Sequence, residues 1–96
     1  MPTVRQQMID LLSEKELNAL EISQALHIRE KEVYGHLEHI RRSLVRQKDR
    51  KLHVSPYRCL GCGYVFRDRR RLDRPGRCPR CREGHIAMAG FRIEKS

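Results

Sequence analysis

Two C-x-x-C pairs constrain this chain more than any other feature of its sequence. Cys59 and Cys62 form the first pair, Cys78 and Cys81 form the second after 15 intervening residues, and the chain has no other cysteine. Each C-x-x-C turn directs two sulfurs toward one point, so two facing turns place four thiolates at the corners of a tetrahedron. Zn²⁺ accepts that geometry without a preference of its own. The spacing therefore predicts one closed, structural zinc site with four cysteine ligands.

Other uses of the four cysteines fit less well. No secretory signal precedes them, so disulfide bonding is the weaker interpretation and a cytoplasmic location is expected. No βαβ pattern surrounds either pair, as a thioredoxin-type redox site would require. The stretches Cys62-Gly63-Tyr64 and 78–81 resemble pieces of rubredoxin, which holds iron in such a cage. An iron site is therefore the alternative to zinc.

The charge of the chain is concentrated in its second half. Residues 1–46 carry seven Lys/Arg and seven Asp/Glu, whereas residues 47–96 carry fourteen and five, which is the whole net charge of +9. A neutral half joined to a strongly basic half indicates an anionic partner, and nucleic acid fits better than a membrane surface. No apolar run approaches the ~18 residues that a membrane span needs.

Apolar residues recur at helical spacing in three segments of the first half. Together with capping signals at Thr3 and Asn18, they predict helices at about 4–13, 19–26 and 30–47. The third helix has the clearest apolar stripe, formed by Val33, Leu37, Ile40 and Leu44. A short helix, a tight turn and a longer helix form the helix-turn-helix arrangement.

A charged turn and a short strand follow the third helix. Residues 52–55 alternate apolar and polar side chains like a half-buried strand. A basic hairpin after a helix-turn-helix makes a winged helix, whose wing would carry Lys48, Arg50 and Lys51. Ser55-Pro56 breaks regular structure, so we divide the chain into a winged helix-turn-helix, residues 1–55, and a zinc ribbon, residues 56–96.

The ribbon is expected to consist of strands around the two cysteine turns. Residues 57–59 and 64–66 would flank the first turn, and residues 85–87 and 91–93 would be the closing strands. Between the turns lies a basic run, residues 67–77, with six arginines and two aspartates. The aromatic residues of this half are expected to form a small core within the ribbon: Tyr57, Tyr64, Phe66 and Phe91.

Residues 21–37 resemble the helix-turn-helix motif of bacterial and archaeal regulators, with His27 at the position of the usual turn glycine. With the runs 59–66 and 75–81, the order of parts resembles a family of predicted prokaryotic transcriptional regulators that fuse a helix-turn-helix to a zinc ribbon. The resemblance implies an α+β fold, in which an N-terminal winged helix-turn-helix precedes a small four-cysteine zinc ribbon with rubredoxin-like knuckles and antiparallel strands. It also implies binding to double-stranded DNA and control of transcription.

Candidate nucleic-acid contacts follow from this interpretation, on the third helix, on the wing and in the basic run. They are Arg29, Lys31, Tyr34, His36, Lys48, Arg50, Lys51, Arg69, Arg70 and Arg71. The alternative is a zinc-ribbon adaptor or RNA-binding protein that contacts a protein of the transcription or translation machinery, because the helical half has balanced charge. No catalytic constellation is recognisable, so we do not expect an enzyme. A homodimer on a two-fold DNA site fits the winged-helix interpretation.

Overall fold

A computed structural model describes residues 2–67 and 69–95 of the chain. It contains three helices, α1 (Val4–Glu14), α2 (Ala19–Leu26) and α3 (Glu30–Gln47), followed by four strands. The strands are β1 (Arg50–Ser55), β2 (Arg58–Cys59), β3 (Ile86–Ala87) and β4 (Gly90–Lys95). No helix in these residues is long and apolar enough to cross a bilayer. The three helices and four strands give the chain a mixed α+β fold with small antiparallel sheets.

The helix boundaries confirm the sequence predictions to within one residue. Thr3 caps α1 by accepting a hydrogen bond from the Gln6 amide at 3.1 Å. Asn18 and Glu21 form the reciprocal capping box of α2, with bonds of 2.8 and 2.9 Å. On α3 all four residues of the predicted apolar stripe are buried, because that face packs against the rest of the core.

Strand β4 crosses from the end of the chain to the helical half. It pairs antiparallel with β1, with Val54 opposite Phe91. On its other side Phe91 exchanges two backbone hydrogen bonds with Leu17, of 2.8 and 3.0 Å. The prediction that residues 91–93 close the ribbon is therefore wrong. The partner of β1 comes from the far end of the sequence. Beside the cysteines β2 pairs with β3, whereas residues 64–66, expected to be a strand, make only an isolated bridge between Val65 and Arg58.

One hydrophobic core includes residues from both halves of the chain. Phe91 and Ile93 are buried together with helical residues such as Met8 and Leu12. Tyr57 also belongs to this core, so the aromatic residues do not form a separate core within the ribbon. In the ribbon itself the rings of Tyr64 and Phe66 pair with each other, edge to face with centroids 4.9 Å apart. Residues 1–55 and 56–96 thus share a sheet and a core.

Replacing Phe91 tests this arrangement. Phe91 is fully buried, and removing a buried aromatic ring costs about 3–5 kcal/mol. We therefore expect Phe91→Ala to lower the melting temperature of the helices, measured by far-UV circular dichroism. Leu60→Ala is the control, because Leu60 is 62% exposed in the ribbon. An unchanged helix melting curve in Phe91→Ala would contradict a shared core.

Candidate metal centre and nucleic-acid interface

The two C-x-x-C turns have the same backbone structure. The Gly63 amide donates to the Cys59 carbonyl at 2.9 Å, and the Arg82 amide donates to the Cys78 carbonyl at 2.8 Å. The residue after each second cysteine has a left-handed backbone, with φ of 82° at Gly63 and 63° at Arg82. Glycine adopts this conformation without the steric cost that a side chain imposes. The sequence indicated this role for Gly63 but not for Arg82.

The four sulfurs lie together at the junction of the turns. Sγ atoms of Cys59 and Cys81 are 3.4 Å apart, and those of Cys62 and Cys78 are 3.6 Å apart. All four lie within 4.8 Å of one another. A tetrahedral ion with metal–sulfur bonds of ~2.3 Å needs sulfur separations of about 3.8 Å, which falls inside this range. The predicted cysteines thus form a possible four-coordinate metal site.

The thiols differ in how readily they ionise. Burial alone would raise the pKa of Cys78, but the amides of Cys81 and Arg80 and the neighbouring thiols donate to its sulfur and lower the pKa to about 7. At Cys81 the Glu83 amide favours the thiolate. Burial and the other three sulfurs outweigh that amide and raise the pKa to about 12. Four thiolates therefore need a bound cation at neutral pH, and metal binding releases protons.

The basic run between the knuckles packs on α3. We call its described residues, 67 and 69–77, the ribbon loop. Arg74 makes an ion pair with Glu30 at 2.7 Å, and Arg41 donates to the Arg70 carbonyl at 3.1 Å. The Tyr57 hydroxyl donates to the Leu72 carbonyl at 2.7 Å. One flank of α3 is therefore in contact with the ribbon loop.

The predicted contacts of α3 lie in three different environments. Arg29 and Lys31 are exposed. Tyr34 is partly buried on the flank beside the loop, and its hydroxyl donates to Glu30. Its pKa is raised by burial first, and then by hydrogen bonding with Glu30 and Tyr57. On the opposite flank His36 accepts a hydrogen bond from Arg5 of α1 at 3.1 Å.

The predicted contacts that follow α3 in the sequence also differ in exposure and in hydrogen bonding. Lys48 ends α3 in the left-handed region, with φ of 64°, and Lys51 is exposed on β1. Arg50 is half-buried, and its Nε finds no hydrogen-bond partner in the described part of the chain. In the ribbon loop the Arg69 guanidinium binds the Asp73 carbonyl and carboxylate. The side chains of Arg70 and Arg71 are exposed.

Of a basic stripe on the outer side of α3, only Lys31 was selected from the sequence. It consists of four exposed residues, which we call the α3 outer stripe: Lys31, His39, Arg42 and Arg46. With Gly35 between the first two, the spacing is four, four, three and four, which keeps them on one helix face. That face is opposite the buried apolar stripe, so the same periodicity could have located it. Glu32, an exposed acidic residue, lies next to Lys31 in the first turn of α3.

Comparisons with known proteins agree with this fold. The family described as "PF0610-like, N-terminal" matches residues 3–53, from α1 into β1. The solution NMR structure of protein PF0610 from Pyrococcus furiosus is similar, with a TM-score of 0.82 and 28% sequence identity. The likeness covers 97% of this chain and 90% of that chain, and so includes the ribbon. No curated protein matches.

Gly63 provides a test of the first knuckle. An added Cβ would meet no atom within 4 Å at Gly63 or at Gly76, but only Gly63 has positive φ. We expect Gly63→Ala to destabilise the metal-loaded chain by about 1 kcal/mol through backbone strain, and to weaken metal retention. Thermal denaturation and competition with a chelator would measure both effects. Gly76→Ala, the matched control, should change neither, and equal effects of the two substitutions would contradict the assigned turn geometry.

Proposed function

This chain belongs to the PF0610-like family, and we propose that it is a DNA-binding transcriptional regulator with one structural Zn²⁺. The observation that carries the proposal is the α2–α3 pair, because α3 holds a basic stripe that faces outward. In this proposal α2 and α3 are a helix-turn-helix, and β1 with β4 is the wing. The chain acts by binding rather than by catalysis, in the cytoplasm.

The turn between α2 and α3 supports the helix-turn-helix assignment. His27 ends α2 with φ of 56°, in the left-handed region, so it adopts the conformation that glycine usually supplies at this point. Its neighbour Ile28 donates its amide to the Ser23 carbonyl at 3.1 Å. The turn is thereby completed within three residues, and the exposed cap residue Arg29 directly precedes Glu30, the first residue of α3.

The exposed charges favour particular contacts with DNA. The α3 outer stripe is the proposed reading surface, because the Tyr34 flank is in contact with the ribbon loop and the His36 flank with α1. Lys51 on β1 and Arg70 and Arg71 in the loop would meet backbone phosphates. Phosphate contacts position a protein on the duplex, whereas contacts to base edges select the sequence.

Zinc is the proposed ion of the four-cysteine site because four thiolates at tetrahedral spacing suit it. Bound zinc would hold the two knuckles together and supply folding free energy to a segment that has little apolar core of its own. Elemental analysis of protein produced with both metals available tests the assignment. We expect one zinc per chain, whereas a red protein with one iron would establish the rubredoxin-like alternative.

The charge balance of residues 1–46 favours a second candidate function. A helical half without net charge could bind a protein, while the ribbon binds RNA or docks on the transcription or translation machinery. Recovery of polymerase or ribosomal components, together with weak affinity for duplex DNA, would favour this adaptor. A homodimer on a two-fold DNA site belongs to the first proposal, and a size measurement in solution tests it.

The double substitution Arg42→Ala/Arg46→Ala tests the DNA-binding proposal. Both side chains are exposed, so folding should be unaffected. We expect weaker binding to duplex DNA and a salt dependence of log K that is less steep by about 2, since each phosphate contact contributes ~0.9. Fluorescence anisotropy at several salt concentrations would measure both.

A charge-matched control separates specific contacts from net charge. Arg58→Ala/Arg77→Ala also removes two exposed arginines, but neither belongs to the proposed interface. The control should retain most of the affinity and the original salt slope. If both double variants lose the same affinity, the α3 outer stripe is not the reading surface. If the native chain binds no duplex DNA at low salt, the proposed function itself is wrong.

A further inference from the structure

We propose that a cleft between α3 and the ribbon loop is a binding site for a small organic phosphate monoester. Its volume is about 180 Å³, below the range of roughly 300–1,000 Å³ that is usual for drug-sized ligands. Among the described residues, four arginines line it: Arg41, Arg67, Arg69 and Arg71. The cleft shares Arg71 with the proposed phosphate contacts to DNA but is separate from the α3 outer stripe, and binding of a small ligand is measured without DNA, so the proposal does not depend on DNA binding.

Two of the arginines are held in place by the protein. Arg41 makes an ion pair with Glu38 at 2.6 Å and also donates to the Arg70 carbonyl. Arg69 donates to the Asp73 carbonyl from Nε and Nη2, at 3.2 and 3.1 Å. Because these bonds fix both guanidiniums before a ligand arrives, little side-chain entropy would be lost on binding.

The other two arginines are available to a ligand. Arg67 and Arg71 are exposed, and neither guanidinium makes a hydrogen bond or ion pair with another described residue. Glu38 and Asp73 offset two of the four positive charges. Asp68 lies outside the described residues. If its carboxylate is also counted, the four arginines still exceed the acidic residues by one charge. Planar guanidiniums bind phosphate oxygens through paired hydrogen bonds, so a phosphate dianion suits this arrangement.

Part of the lining of the cleft is apolar. Four apolar or aromatic side chains contribute to it: Val54 and Phe66 are partly buried, and Tyr57 and Leu72 are buried. An inorganic anion would leave this surface in contact with water, whereas the apolar part of an organic phosphate would cover it. The cleft therefore favours a phosphate joined to a small apolar or aromatic group. Such a ligand would connect α3 to the ribbon loop and hold the two together.

Phenyl phosphate is the probe for the first experiment. Titrated into the metal-loaded full chain at low salt, it should bind in a 1:1 ratio by calorimetry. Backbone amide shifts in NMR spectra should change mainly around Phe66 and Leu72. It should also bind more tightly than inorganic phosphate. Equal affinity for phenyl phosphate and inorganic phosphate would contradict the preference for an organic ligand. Binding that does not saturate would contradict the existence of a specific site.

Substitutions assign the binding to the cleft. Arg67→Ala and Arg71→Ala should each weaken phenyl phosphate binding roughly ten- to a hundredfold, because each removes a charge-assisted hydrogen bond. Arg77→Ala is the matched control, since Arg77 is an exposed arginine of the same loop that does not line the cleft. Metal content and melting temperature should stay unchanged in all three. Equal losses in Arg77→Ala would show general charge attraction and overturn the proposal.

Discussion

The pairing of β4 with β1 is the interaction on which the rest of the structure depends. It brings the last strand of the chain into the helical half, where Phe91 is fully buried and bonds to Leu17 on one side and faces Val54 on the other. Because β1 directly follows α3, the same pairing fixes the ribbon beside that helix. The cysteine knuckles lie between β1 and β4 in the sequence, so they form a loop anchored at both ends.

Local signals in the sequence were sufficient to predict the helices and the cluster of four cysteines. The caps at Thr3 and Asn18 act within three residues, and the apolar stripe of α3 follows from helical periodicity. The C-x-x-C spacing likewise fixes where two sulfurs point. The partner of β1 could not be predicted in this way, because a short strand such as residues 91–93 carries no signal for a partner about forty residues away. Burial of Phe91 among the helices follows from that pairing.

The candidate interface was harder to predict because exposure depends on what packs against each flank of α3. Tyr34 and His36 lie near the start of the helix, where a reading helix contacts DNA, yet one contacts Glu30 and the other Arg5. His39 and Arg42 lie farther along and remain exposed. Periodicity identifies the face opposite the core, but only the position of the ribbon loop decides which of the remaining faces stays accessible.

The position of the ribbon loop also affects where net positive charge is exposed on the folded chain. In the sequence the first half is neutral and the second carries all the net charge. In the fold Glu30 of α3 compensates part of the basic run, since it makes an ion pair with Arg74. The basic residues of the α3 outer stripe stay exposed. Contact between the halves thus places uncompensated positive charge on the helical half, although the sequence assigns that half no net charge.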